Sequence, residues 1–571
     1  MSFNVLFGHF LYFRLMHRRQ FIRWSGTALS TLVFSRWSDA AGLPADEIMP
    51  PSKVFVLLDD GEHELLRSGT RWSFKDVVVE CKPSAGGMGV SVQSPAAPLQ
   101  YIRLEWPYPM QHTTGIMGDH WERTYGDLDF HPLESGRKMP WYFVAYDDKA
   151  TLCMGVKTGC SSIAYWQAGP DKLQLSLDTR NGGLGVQLGH RTLHAADILV
   201  TRNKGDENVF ATARRFCGLL CEKPKLPRQP VYGINDWYYA YGNNNPALIL
   251  ELTKLMTDLA PDPGNRPFSV VDAGWALYSP YHLNDGGWMD DFSRPNEKFR
   301  SGMDKLAADI HGLGMRPGIW TRPLCAAHDD PASLLLSSIP GRDDPKSPIL
   351  DPTIEENVER VRRNIRLYRQ WGYELVKHDY TTYDLLGKWG ADMKNDITTP
   401  GWHFHDRTRT TAEITLNLYK AIRQAAGDDM YIIGCNTFGH LGAGIFELSR
   451  VGDDTSGKEW DRTRKMGVNT LGFRMIQHDT FYAADGDCVG LTKDVPWEKN
   501  RQWMELVAGS GTPLFISPQP EVVGNDQRQL IRASFAKAAR RQAPGEPLDW
   551  LTTSQPRKWK LDGGIRTFDW G

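Results

Sequence analysis

Two short segments of this chain combine residue types and spacing that could do chemistry. They are Lys377-His378-Asp379 and Gly452-Asp453-Asp454. A pair of carboxylates facing one pocket, one ionised and one carrying a proton, is the minimum for cleaving a glycosidic bond. Residues two apart in an extended strand point to one side. Lys377 and Asp379 are therefore expected to share a face, with the ammonium keeping Asp379 ionised, as suits a nucleophile. Asp453 has Asp454 beside it, and like-charged neighbours favour holding a proton, as suits a general acid. Further polar and aromatic residues recur just past apolar runs: Trp237, Asp272, Trp275, Trp320, Arg322, Cys435, Arg450 and Asp487. Buried like charges are costly, so such a ring must serve a ligand, a metal or mutual pairing.

The elements that must position these groups are visible as alternating runs. Strand-like segments fall at 233–239, 269–275, 316–321, 374–379, 431–435, 448–453, 480–484 and 513–517. Between them lie amphipathic stretches. In 355–371, Val358, Val361, Ile365, Tyr368 and Trp371 recur at helical spacing with arginines opposite. Similar helices are predicted over 245–259, 294–313, 410–425, 458–477 and 498–507. Eight strand-then-helix units predict a closed (β/α)8 barrel over 230–540, whose chemistry sits where strands end. Residues 50–225 read instead as β structure, with short alternating runs at 54–58, 77–81, 99–104, 141–145 and 198–201. Gly86-Gly87-Met88-Gly89 reads as a turn and not a phosphate loop, because no helix start follows it. The Pro-containing stretch 223–227 closes this predicted β-sandwich.

Composition narrows the function classes. The chain has 571 residues, 66 Lys+Arg against 68 Asp+Glu, and a net charge of −2. Without a basic field, nucleic acid is not an expected partner. Eight cysteines are too sparse for a disulfide scaffold; Cys217 and Cys221, four apart on one helix face, read as core thiols. Twenty tryptophans suit flat apolar ligands such as sugar rings, with about half assigned to core packing. His403 and His405 have no third ligand at a recognisable spacing, so no metal or other cofactor is expected.

His17-Arg18-Arg19-Gln20-Phe21 precedes a short apolar run and small residues at Ala40, Ala41 and Ala45. This is the layout of a twin-arginine signal over residues 1–45, implying a periplasmic or secreted protein with no membrane partner in the mature form. Met16 is the expected true start. Lys558–Lys560 and 564–570 read as the opening strands of a C-terminal β domain over 545–571, and since two strands make no stable sheet, a truncated chain is expected. A homo-oligomer is left open.

The ordered segments 230–237, Asp272-Ala273-Gly274-Trp275, Gly318-Ile319-Trp320, Lys377-His378-Asp379, Cys435-Asn436 and Gly452-Asp453-Asp454 resemble the retaining α-galactosidases of the melibiase clan. The preceding β domain, with Gly118-Asp119-His120-Trp121-Glu122, sits where larger bacterial members carry an N-terminal sandwich. The resemblance implies that Asp379 is the nucleophile, Asp453 the general acid and then base, and Lys377 a sugar contact that orients Asp379. It implies that Asp272 binds sugar hydroxyls, that Trp237, Trp275 or Trp320 wall the pocket, and that the substrate is an oligosaccharide or other glycoside with a terminal α-galactosyl residue. This sequence departs from the family at Ala273, where a second Asp is usual, and at His378, where an aromatic is common. A pyranose without a 6-hydroxyl, as in a β-L-arabinopyranoside, fits Ala273. A galactosyl transferase and a non-catalytic carbohydrate-binding relic are the other readings.

Overall fold

Alternation of buried and exposed side chains builds the first half of the molecule. In the computed structural model, which describes residues 48–84, 86–278, 289–327, 329–342, 348–562 and 564–571, two antiparallel sheets stand in front of a parallel one. The expected signal segment lies outside the described residues. One antiparallel sheet has six strands and the other eight. Val54, Val56, Ile102, Leu104 and Leu175 of the first meet Val77, Val79, Val90, Val92 and Ile198 of the second in one apolar core, as expected of a sandwich. Gly87–Ser94 is a strand and not the expected turn; only Gly86 turns, at φ 73°. Gly87 is needed there because a Cβ would stand 2.0 Å from the Ile198 carbonyl oxygen.

The parallel sheet is the barrel. Its strands are Tyr232–Asn235, Phe268–Val271, Arg316–Thr321, Leu375–His378, Tyr431–Gly434, Leu448–Arg450, a seventh in two pieces, and Leu514–Pro518. All neighbours pair in parallel. The seventh strand runs as Ala483–Asp485, pairing with the sixth, and Cys488–Leu491, pairing with the eighth, which itself pairs with the first. The ring is thus closed through a segment that changes partner at Gly486-Asp487, where Asp487 takes φ 69°. The seventh run had been expected slightly earlier; 480–482 in fact bends back, with the Asp479 N–H on the Tyr482 carbonyl.

Helices cover the barrel largely where the periodicity places them. Glu355–Gln370 buries Val358, Val361, Ile365 and Tyr368, and Thr411–Ala426 begins with a reciprocal Thr410–Glu413 capping box. Two expectations change. The predicted helix over 294–313 shortens to Met303–Gly312, because a strand, Met289–Pro295, precedes it. The predicted helix over 458–477 is interrupted by a π-helical stretch, Arg464–Asn469. There Asn469 exchanges hydrogen bonds with the Leu128 backbone of the sandwich. The tail forms three strands rather than two, Glu546–Pro547, Lys558–Leu561 and Gly564–Thr567. Trp559 and Trp570 are buried beneath them, both donating to the Pro556 carbonyl. All eight cysteines are buried.

The loop Gly118–Tyr125 joins sandwich to barrel. Asp119 pairs with Arg474 at 2.8 Å and accepts from Gln477. The Trp121 indole donates to the Met393 carbonyl, and Thr124 bridges to Gly452. This loop lies directly against the ends of the fifth and sixth barrel strands.

Candidate active site

Asp379 follows the fourth strand at a turn that few residues tolerate. Tyr380 sits at φ 64°, a left-handed conformation that is costly for a bulky side chain and survives only where its surroundings over-determine it. They do so here. The Arg322 guanidinium lies 4.4 Å from the Tyr380 ring centre, and the Trp389 ring packs edge-on at 5.3 Å. The turn aims the Tyr380 N–H at Asp379 Oδ1, 2.8 Å away, while the Trp320 indole donates to Oδ2 at 3.3 Å.

Lys377 does point inward, but its partner differs from the expected one. Its ammonium donates to Asp272 Oδ2 at 2.7 Å. Burial opposes the charge, yet Asp272 and the neighbouring Cys435 and Asp487 hold the Lys377 pKa well above its ordinary value. Asp379 is oriented by Trp320 and Tyr380 instead. Asp272 also accepts from Asn235 Nδ2 at 2.6 Å and from the Ala273 N–H at 2.8 Å. A carboxylate has about four acceptor sites, so roughly one remains for a ligand hydroxyl. Behind it Asp236 is buried, accepting from the Asp272 N–H and from Asn244. Burial and the Asp272 charge push Asp236 up to about 7. His378 is sealed between Tyr419 and Phe446, and burial pushes its pKa down to about 3. It is thus a neutral ring in a core position, with Nδ1 in a hydrogen bond to the Thr381 hydroxyl at 3.1 Å.

Asp453 stands past the sixth strand, and the charged groups that contact its oxygens are arginines. Arg123 reaches Oδ1 and Arg462 reaches Oδ2, each at 2.7 Å. Asp454 pairs with Arg450 at 3.2 Å. Burial works against its charge, but Arg450, Arg123 and Lys377 together bring Asp454 down to about 2. A chain of ring and ion contacts links the two candidate carboxylates. From Asp379 the chain of contacts runs through the Tyr380 ring to Trp389, from Trp389 to the Arg123 guanidinium 5.6 Å from its centre, and from Arg123 to Asp453.

Several expected ligand contacts are framework. Trp275 is fully buried among Phe292, Tyr368 and Trp371, and its indole fixes the Trp320 carbonyl at 2.8 Å. Arg322 is buried and paired with Asp384 at 2.6 Å. Arg450 is buried between Asp487 at 3.1 Å, Asp454 and the Cys435 sulfur at 3.4 Å. Asp487 accepts from Tyr238, from Thr455 and from Arg450, tying the first unit of the barrel to the sixth and seventh. Cys435 is a buried thiol whose pKa burial drives up. Trp237 is half-buried beside Tyr241. The sequence reading missed Arg123, Arg462 and Trp389. Arg123 follows directly on the polar segment Gly118–Glu122, which is an unusual run inside a β domain; nothing local marks the other two.

The chain has the fold of α-galactosidases of known structure. Among them is an enzyme of Thermus thermophilus solved with p-nitrophenyl α-D-galactopyranoside, at a TM-score of 0.58 and 18% identity, covering 90% of this chain and 99% of that one. The GH36 α-galactosidase AgaA of Geobacillus stearothermophilus, solved with raffinose, gives a TM-score of 0.56 at 12% identity, covering 90% and 79%. No family model matches the sequence.

Proposed function

We propose that this protein is a retaining glycoside hydrolase that removes terminal α-galactosyl residues. The observation that carries the reading is this chain of contacts: Asp379 and Asp453, just past the ends of the fourth and sixth strands, are linked through Tyr380, Trp389 and Arg123. Barrels of this kind place chemistry at those strand ends. Asp379, steadied by the Trp320 indole, attacks the anomeric carbon while Asp453 protonates the leaving oxygen. The glycosyl-enzyme is then hydrolysed with Asp453 as base, giving net retention. Asp272, with Lys377 and Asn235 fixing it, accepts a sugar hydroxyl.

Ala273 supports a second reading, a pyranose without a 6-hydroxyl. No side-chain acceptor stands there, and its backbone N–H is already committed to Asp272. An aryl-glycoside panel of α-galactoside, β-L-arabinopyranoside and α-N-acetylgalactosaminide, with product stereochemistry followed by NMR, tests both. Retained configuration on one of them is expected; inversion, or inertness towards all three, would sink the reading. Export through the twin-arginine segment is part of the same proposal and is checked by replacing Arg18 and Arg19 with lysine, which should leave the protein in the cytosol.

A further inference from the structure

Asp453 is held at both oxygens, and the two holders are unlike. Arg123 comes from the sandwich, is only 6% exposed, lies 3.8 Å from the Cys435 sulfur and stands over Trp389. Arg462 is 40% exposed and leaves the short helix Trp460–Thr463 just before the π-helical stretch. Among the described residues Asp453 is its one hydrogen-bonding or ionic partner. The backbone is fixed as well, since the Asp453 N–H donates to the Thr124 carbonyl at 2.8 Å. The other groups facing Asp453 are Glu122 and the Tyr125 hydroxyl of the same sandwich loop, with Asp454 next in the chain.

The proposed reaction asks two things of Asp453. In the first half, an Asp379 oxygen bonds to the anomeric carbon, the bond to the leaving oxygen breaks, and the Asp453 proton passes to that oxygen. In the second, the Asp453 carboxylate takes a proton from water as the water oxygen replaces Asp379 on the anomeric carbon. With a guanidinium on each oxygen, Asp453 is set up for the second half; each oxygen keeps a free lone pair, but a proton placed there for the first would sit beside two cations.

We infer that Arg462 is a movable positioning residue of the acid/base: it leaves Oδ2 for the first half-reaction and returns for the second, while Arg123 is the fixed anchor. The inference rests on the glycosidase reading. Its test compares kcat/KM of wild type, Arg462→Ala and Arg462→Lys on an α-galactoside with a good leaving group, 4-nitrophenoxide, and one with a poor leaving group, methoxide. The poor substrate needs the proton and the good one does not. In Arg462→Ala the poor-to-good ratio should rise about tenfold and the basic limb of the pH profile move up about one unit, the low end for losing one nearby opposite charge. The lysine variant should bring both back towards wild type. An unchanged ratio and limb in the alanine variant, with a native melt, overturns the inference. Should that variant melt early, Arg462→Gln, which keeps the stem, decides by the same ratio. A wild type inert on both substrates instead overturns the glycosidase reading and this inference with it.

Discussion

Replacing Asp236 with asparagine should stabilise the protein at alkaline pH and not at acid pH. Asp236 is fully enclosed behind Asp272, and burial and that neighbour's charge raise it from 3.8 to about 7. A group whose folded pKa is raised contributes its full stability below the unfolded value and loses it as pH climbs through the folded one. The window is therefore pH 4 to 7. Three pKa units correspond to about 4 kcal/mol at most, of which about 2.5 kcal/mol falls between pH 5 and pH 8. Asparagine keeps the acceptor for the Asp272 N–H, which stands 2.8 Å from Oδ1. Its amide meets that of Asn244 less well than the carboxylate does, by about 1 kcal/mol, equally at every pH. The difference between the two proteins thus isolates the charge, and other buried carboxylates such as Asp485 cancel. Thermal melts of both proteins at pH 5 and pH 8 are the assay. The variant should gain roughly 2–4 °C on wild type between the two conditions. A gap that is the same at both pH values would refute the account of a buried, proton-seeking Asp236.

Three other outcomes are expected. Asp379→Ala should lower turnover of an aryl galactoside by more than about 1,000-fold with little change in melting temperature, because the half-exposed carboxylate has only two donors to lose; full activity would mean another nucleophile. Trp320→Phe removes one donor to Asp379 while keeping a ring in place, and kcat should fall roughly 5- to 10-fold, the weight of about 1 kcal/mol. Arg123→Ala should reduce activity far more than Arg462→Ala, since it also removes the cation that stands over Trp389 and beside Cys435; equal losses from the two would remove the distinction between fixed and movable holder.

Much of the barrel was legible because each unit repeats one pattern: an apolar strand followed by a helix with one greasy face. Glu355–Gln370 illustrates it, its buried positions falling where the spacing puts them. Asp379 and Asp453 stand just past strand ends, where the same pattern predicts them. What the sequence could not convey was partner choice. Lys377 lies two residues from Asp379, yet its stem reaches across the barrel to Asp272 on the second strand. Trp275 looks like a pocket wall in one dimension, but Phe292, Tyr368 and Trp371 close over it. Asp453 looked crowded by negative charge because its two arginines come from a different domain and from a turn beyond the strand. Long-range ion pairs leave no local periodicity, so they are found only once the chain is folded.

The eight buried cysteines carry a consequence for handling and for compartment. A thiol reacts as its thiolate, and burial pushes Cys81 and Cys160 up to about 12. The native protein should therefore be indifferent to the redox poise around it, equally at home in a reducing cytosol and an oxidising periplasm. That indifference ends on unfolding, when eight ordinary thiols are released at once. Heat inactivation in air should then lock in as scrambled disulfides, while the same melt under a reductant should refold further.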